Sequence, residues 1–401
     1  MGAREEPRRR LGRIPEGKAV LSKEECEAAT LDHAQCSRGS VAPARRVPAC
    51  AHGEAGSPMI KVATLAGVIL SCALGAGQTA QEPYIFFREH IGLNDDQIAM
   101  ITRGKAFAKV LPSTSPAEIF IFGAVFVNAT PDDYVKLAFD MDRLRRLPSY
   151  LGVDRIGETP VPADLEGFTL EPEDIRHLRT CEPGKCGVQM PAEAMQELKK
   201  AIEGSGPEVA EQVNDGVRKM ALEVLRRYRE EGNSVLGTYR DKDRPFDVNA
   251  QLQSLVGRSE ELPAYLPDLN RYLLDYPRAK LEKAQSMFYW EKVKFGLKPT
   301  LRLNHAIAYQ SAGSRGAAHV VAVKQLYASH YFQLALDLTV CVTESGSTSD
   351  KGFYLISLKG STQQGFSGFK GSILRRFVVS KARNAQEAVL INIKNALEET
   401  Q

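Results

Sequence analysis

The chain has 401 residues, 43% apolar and 25% charged, which is enough material for a sizeable core in one large or two modest domains. Of its 52 Lys/Arg and 49 Asp/Glu, residues 1–80 hold eleven and eight, which leaves 41 of each sign and no net charge in 81–401. A neutral body lacks the basic surplus that neutralises phosphates, so nucleic-acid binding is excluded as a main function and polybasic attachment to membranes is disfavoured.

Residues 1–58 are rich in Arg, Pro and Ala, as in Arg8-Arg9-Arg10 and Pro43-Ala44-Arg45-Arg46, and show no sustained apolar period. They read as an untranslated or disordered extension ahead of Met59. Lys61 and the charge-free run Val62–Leu74 make the n-region and h-region of a signal peptide over 59–80. The run is shorter than the roughly 20 apolar residues of a transmembrane helix. Small residues up to Ala80, then Gln81-Glu82-Pro83, place cleavage after Ala80. The expected product is periplasmic or secreted and has no membrane span after cleavage. Ile69-Leu70-Ser71-Cys72 approximates a lipobox, so a lipoprotein anchored at Cys72 is an alternative; a buried helix of a cytosolic protein is another.

In the remainder, 81–118 reads as an N-terminal helical segment, with Asn94-Asp95-Asp96 capping a helix through Met100, Ile101 and Phe107. Ile119–Ala129 is a β-prone apolar run. Thr130-Pro131-Asp132-Asp133 then supplies an N-cap, a first-turn proline and first-turn acids. Tyr134, Leu137, Ala138, Met141 and Leu144 continue at helical spacing. The stretch 151–284 reads as a mostly helical insertion around Pro-rich loops, with helices over 192–202 and 207–231 and an aromatic-rich helical region over 247–275. Within it, Cys181-Glu-Pro-Gly-Lys-Cys186 places two thiols across a Pro-Gly turn. A local disulfide is the default in an oxidising compartment; free thiols and half of a zinc site are the competing readings, and no second Cys/His pair completes a metal site. From Gln285 the pattern turns to long strands: 287–295, 301–310, 318–343 with either a bend near Ala328-Ser329 or one long curved strand, and 352–360. A helix then runs to Glu399.

Strand, tight amphipathic helix, several antiparallel strands and a long last helix is the order of elements in a helix-grip domain. Phe126-Val127-Asn128-Ala129-Thr130-Pro131-Asp132-Asp133-Tyr134-Val135 resembles the opening of the START-like (polyketide cyclase/lipid-transport) superfamily, and Ser380–Glu399 resembles its final helix. The Cys-x-Pro-Gly-x-Cys turn and the segment Tyr289-Trp290…Phe295-Gly296-Leu297-Lys298-Pro299 also resemble exported bacterial proteins. The implied fold is α+β: a START-like grip domain built from 119–150 and 285–401, with a curved antiparallel sheet, a long C-terminal helix and the helical insertion. The superfamily implies a cavity between the sheet and that helix, accepting a lipid-like or aromatic small molecule.

Strand alternation puts Leu326, Ala328, His330, Phe332, Leu334, Leu336, Leu338 and Val340 on one face of 318–342, and Leu303, His305, Ile307 and Tyr309 on one face of 301–310. His305, His330, Trp290, Tyr309 and Phe332 are therefore the candidates for lining the cavity. Tyr327, Tyr331 and Asp337 fall on the opposite face, and Glu291 alternates with Tyr289 and Val293. The bland reading of the histidines is hydrogen bonding within the core. No Gly-x-Ser-x-Gly, Walker loop or His-Glu-x-x-His occurs, and no catalytic residue, metal ligand or cofactor is assigned. Three functions remain open: a non-catalytic carrier of an apolar ligand; a cofactor-free cyclase, isomerase or hydrolase using His305 or His330; and an envelope interaction module with a protein partner on 192–275.

Overall fold

The computed structural model describes residues 83–202, 208–295, 298–311, 318–343, 352–363, 365–366 and 368–399. The extension, the signal segment and Cys72 lie outside the described residues.

The chain is α+β. Its strands are β1 (Phe107–Leu111), β2 (Glu118–Val127), β3 (Tyr150–Ile156), β4 (Thr238–Tyr239), β5 (Phe246–Asp247), β6 (Gln285–Lys294), β7 (Pro299–Ser311), β8 (Ala318–Ala328), β9 (Phe332–Val342) and β10 (Phe353–Gln363). Eight of them form one antiparallel sheet in the order β1-β2-β10-β9-β8-β7-β6-β3, while β4 and β5 make a separate ribbon. The last strand thus lies beside β2, from Phe353 opposite Val127 to Thr362 opposite Glu118. The helices are α1 (Asp95–Thr102), α2 (Pro131–Ala138), α3 (Met141–Arg145), α4 (Pro172–Leu178), α5 (Ala192–Ile202), α6 (Glu208–Glu231), α7 (Val248–Gly257), α8 (Glu261–Tyr265), α9 (Pro267–Asp275) and the 31-residue α10 (Gly368–Glu398).

Local chemistry accounts for the helix starts. Asn94 accepts from the Gln97 amide at 2.9 Å while Gln97 accepts from the Asn94 amide at 3.0 Å, a reciprocal capping box. Thr130 accepts from the Asp133 amide at 3.3 Å, with Pro131 in the first turn of α2. The helical period through Leu144 is broken at Asp140, whose carboxylate accepts from the Arg143 amide at 2.9 Å and starts α3 afresh.

The two faces of the sheet are covered differently. One carries Phe288, Leu301, Leu303, Val320, Ala322, Leu334, Leu336 and Leu338 against α5, α6, α7 and α9, forming the largest cluster of buried apolar side chains. Burying each such Leu or Phe contributes about 1.5–3 kcal/mol. The other face carries Val125, Val127, Ala308, Val321, Cys341, Phe353 and Leu355 against α2 and the second half of α10, through Leu390, Ile393 and Leu397. This is a helix-grip-like arrangement. Gly123 makes the close approach possible, since a Cβ there would sit 2.8 Å from Leu390 Cδ1 and 2.9 Å from Gln386 Cγ.

The structure departs from the sequence pattern in three places. Phe107–Leu111, expected within a helical segment, is an edge strand; its Ala108 amide donates to Glu387 of α10 at 3.2 Å, so the open edge is partly covered. Residues 150–156, expected at the start of the insertion, form the opposite edge strand on β6. The expected bend in 318–343 is a hairpin turn at Ser329-His330-Tyr331, with Tyr331 at φ 60°. A register shift between Leu303 and Asn304 on the β7–β8 pair then returns Tyr327 to the insertion side, where it packs against Phe168 and Tyr239. Tyr327 is therefore not the sheet-surface aromatic that simple alternation gives.

Cys181 and Cys186 form a disulfide across the turn containing Gly184, which sits at φ +91° where glycine is favoured. Among the described residues no group of His, Cys, Asp and Glu is arranged to hold a metal ion. Cys341 is a buried free thiol whose pKa burial pushes well up. No helix among the described residues is long and apolar enough to cross a membrane. This and the disulfide are compatible with an extracytoplasmic protein.

Candidate ligand cavity

The structure does not bring the five sequence candidates together round one cavity. His305 is fully buried. Its Nε2 is 2.9 Å from Ser286 Oγ, its Nδ1 3.3 Å from Tyr228 Oη, and its ring stacks on Phe288 at 4.4 Å. Burial, with the nearby Lys324 and Arg229 cations, holds its pKa well below the usual histidine value, so the ring is neutral. His330 lies in the β8–β9 turn, with Nε2 2.8 Å from Asp174 Oδ2. Burial pushes the Asp174 carboxyl up, but hydrogen bonds from His330 and Lys298 outweigh it and leave the pKa below the usual value. The Trp290 indole donates to the Asp164 carbonyl at 2.9 Å. Tyr309 is buried against the insertion helices, and burial pushes its phenol up. Phe332 lies beneath the Arg302 guanidinium at 5.8 Å. The hydrogen bonds of His305 and His330 are satisfied packing contacts, the bland reading of the sequence, whereas the Tyr309 hydroxyl is buried without a hydrogen-bond partner. Packing of both histidines counts against acid–base catalysis through either.

Beside His305 stands a group that alternation did not single out. Lys324, its cross-strand partner, is 1% exposed. The ammonium donates to Asn233 Oδ1 at 2.7 Å and lies 4.7 Å over the Tyr228 ring and 5.6 Å over Tyr276. Burial brings its pKa down to about 7. These contacts tie β8 to α6 and to the segment that follows it. Gly232 makes the turn between them at φ +72°, where a Cβ would lie 1.8 Å from the Tyr276 carbonyl oxygen.

On the α10 side of the sheet, Glu291 proves to be buried. It accepts from Arg302 at 2.8 Å and from Asn304 at 3.1 Å, while Arg302 also donates to Gln325 at 3.2 Å. Asn304 Oδ1 and Gln333 Nε2 are buried without a hydrogen-bond partner. This polar network lies on the sheet face opposite the one that alternation assigned to the cavity.

A cavity of about 570 Å³ lies instead on the insertion side of the sheet, and none of the five candidates lines it. Its floor is Leu336, Leu338, Val340, Ile356, Leu358 and Phe120, contributed by β9, β10 and β2. Alternation did place Leu336, Leu338 and Val340 on the cavity face. One wall is the π-helical turn Phe86–His90, anchored by Phe87 edge-on to Phe122 at 5.8 Å and to Tyr354 at 6.0 Å. The other is Leu255, Val256, Leu262 and Leu266 of the α7–α9 region. Phe86 and His90 meet Tyr265 at 5.4 and 5.5 Å, joining the two walls.

Two pairs and one lysine carry the charge of the lining, and the lysine, Lys359, donates to Asp337 at 2.8 Å. Arg258 pairs with Glu118, which is 5% exposed, and donates to Thr114 at 2.5 Å. His90 Nδ1 stands 3.6 Å from Glu261. Such a lining can desolvate an apolar body and fix a polar end, and its volume is in the range of roughly 300–1,000 Å³ usual for small-molecule sites.

Sequence reasoning missed Phe86, His90, Arg258, Leu262 and Tyr265. Their apolar spacing was visible, but the sheet face they cover depends on contacts between segments far apart in sequence. No family model, no curated protein and no solved structure matches the chain.

Proposed function

We propose that the protein is an exported carrier or receptor that holds an apolar molecule with one polar end, without catalysis, in the cavity between β9–β10 and the α7–α9 helices. The observation that carries this reading is the mostly apolar lining of about 570 Å³, whose charged groups are the Arg258–Glu118 and His90–Glu261 pairs and Lys359. Transfer of an apolar chain from water into such a lining is worth about 25 cal/mol per Å² removed from solvent, and Arg258 offers an anionic headgroup a partner. The START-like resemblance supports the same class of ligand, and the position of β10 between β2 and β9 supports the grip topology. The signal segment 59–80 and the Cys181–Cys186 disulfide support export, with a destination outside the cytoplasm.

The interaction-module reading required an exposed apolar patch on 192–275. Among the described residues, the large exposed apolar side chains are at 151, 161, 295, 331, 369, 373, 374, 377, 389 and 391, none within that span.

Native mass spectrometry of protein purified without detergent tests the carrier reading. A co-purifying apolar molecule is expected, and L338W/L358W, which narrows the floor, should lose it while keeping its circular dichroism. Protein that carries no such molecule and fails to displace a fluorescent fatty-acid probe would refute it.

A further inference from the structure

The largest concentration of exposed apolar side chains is on the first half of α10. Phe369 is 83% exposed, Phe377 60%, Ile373 56% and Leu374 49%. Phe369, Ile373 and Phe377 recur every fourth residue and so form one stripe along the helix. The opposite side of the same helix is anchored to the sheet. Val378, Val379 and Ala382 pack on Ile119, Ile121 and Phe366. Arg375 donates to the Pro116 carbonyl at 2.9 Å, to the Glu118 carbonyl at 3.1 Å and to Ser113 Oγ at 3.1 Å. The stripe therefore has no apolar partner among the described residues, and the helix carrying it is fixed in place.

Its flanks are uniformly basic. At 100° per residue, Arg376 and Arg383 fall along one side of the stripe and Lys370 and Lys381 along the other. Lys381 Nζ lies 5.1 Å over the Phe377 ring. No Asp or Glu occurs between 368 and 386, and the next acid, Glu387, is committed to the Ala108 amide. The zero net charge of 81–401 conceals this segregation, which overrides the argument from totals against attachment to a charged membrane.

We infer that the first half of α10 is a docking surface for an anionic lipid bilayer, lying in the plane of the headgroups with Phe369, Ile373 and Phe377 in the acyl boundary. An apolar stripe bordered on both sides by cations is the pattern of an interfacial helix, whose apolar face enters by about 5–10 Å. Charge decides against a second copy as occupant, because stripe-to-stripe pairing would bring eight cations to one seam with no acid between them. The same anchoring residue, Arg375, touches Ser113 and Glu118, both of which line the cavity. Docking would set the cavity beside the lipid surface, yet the docking rests on α10 alone and survives if the cavity proves to hold nothing.

Co-sedimentation of the full chain with phosphatidylcholine vesicles, with and without about one third phosphatidylglycerol, tests this. Binding should be on the order of a hundredfold tighter to the anionic vesicles and should weaken with salt. F369S/I373S/F377S, which keeps every charge, should bind at least about tenfold more weakly, and K370E/R376E/K381E/R383E should abolish binding. The shared signal segment cancels between the wild type and the variants. In F377W the added indole should be quenched by brominated lipids, whereas buried Trp290 should not. Equal binding to neutral and anionic vesicles, undiminished binding by the serine variant, or self-association that the serine variant removes would overturn the inference. Ligand co-purification is read separately, so failure of either proposal is recognised on its own.

Discussion

Substituting Lys324 by methionine keeps the length of the side chain and removes its charge. In the folded chain the ammonium has a pKa of about 7, because burial between β8, Tyr228 and Tyr276 disfavours the charged form. The ordinary value, 10.5, holds in the unfolded chain. Between these limits the unfolded state binds the proton and the folded state does not, so stability rises with pH. Integrating from pH 7, where the folded lysine is half protonated, to pH 9 gives about 2 kcal/mol. Urea denaturation of the wild type should show that rise, and K324M should lack it. The substitution leaves Asn233 Oδ1 without its donor, at a cost of about 1–3 kcal/mol, so the slope and not the absolute stability is the readout. Cys341 titrates in the unfolded state near the upper end of the window with the opposite sign, and it cancels in the difference between the two proteins. A wild type as stable at pH 7 as at pH 9, or a K324M that keeps the slope, would refute the reasoning.

Below this window His305 should dominate: neutral when folded and protonated when unfolded, it lowers stability as pH falls through about 6.5, and H305Q should flatten that limb in thermal melts. E291A should cost about 3–5 kcal/mol by stranding the buried Arg302 charge, whereas E291L/R302M should recover most of it; equal losses would contradict the pairing. Reduction of Cys181–Cys186, or C181S/C186S, should cost only about 2 kcal/mol because the closed loop is short, as guanidinium midpoints will show. G232A should lower the melting temperature sharply, losing at least about 2 kcal/mol, since its Cβ meets the Tyr276 carbonyl at a positive φ.

Much of the fold was legible because it depends on neighbours in sequence. The caps at Asn94 and Thr130, the Pro-Gly turn between the cysteines and the apolar alternation of β7 to β10 all sit within a few residues of their effects. What was not legible depends on distant partners. Phe107–Leu111 is a strand because Phe120–Ala124 lies beside it, and Ala108 is its one fully buried residue, so its own pattern does not distinguish strand from helix. Tyr150–Ile156 has the same weakness at the other edge. The bulge at Leu303/Asn304 reversed the side of Tyr327 without any mark in composition. The cavity was misplaced for a related reason. Leu336, Leu338 and Val340 are on the face expected, but whether α10 or α7 to α9 covers that face is settled by packing across the molecule.

The seating of β10 between β2 and β9 has a consequence for the order of events in synthesis. Glu118 must wait for Thr362 before its strand gains its inner partner, and until then β2 and β9 both offer open edges. Nearly the whole chain has to emerge before the sheet can be completed, which makes folding slow and dependent on contacts of long sequence separation. Under the export proposed above, that delay would be an advantage: a sheet whose last strand is also its keystone cannot close too early.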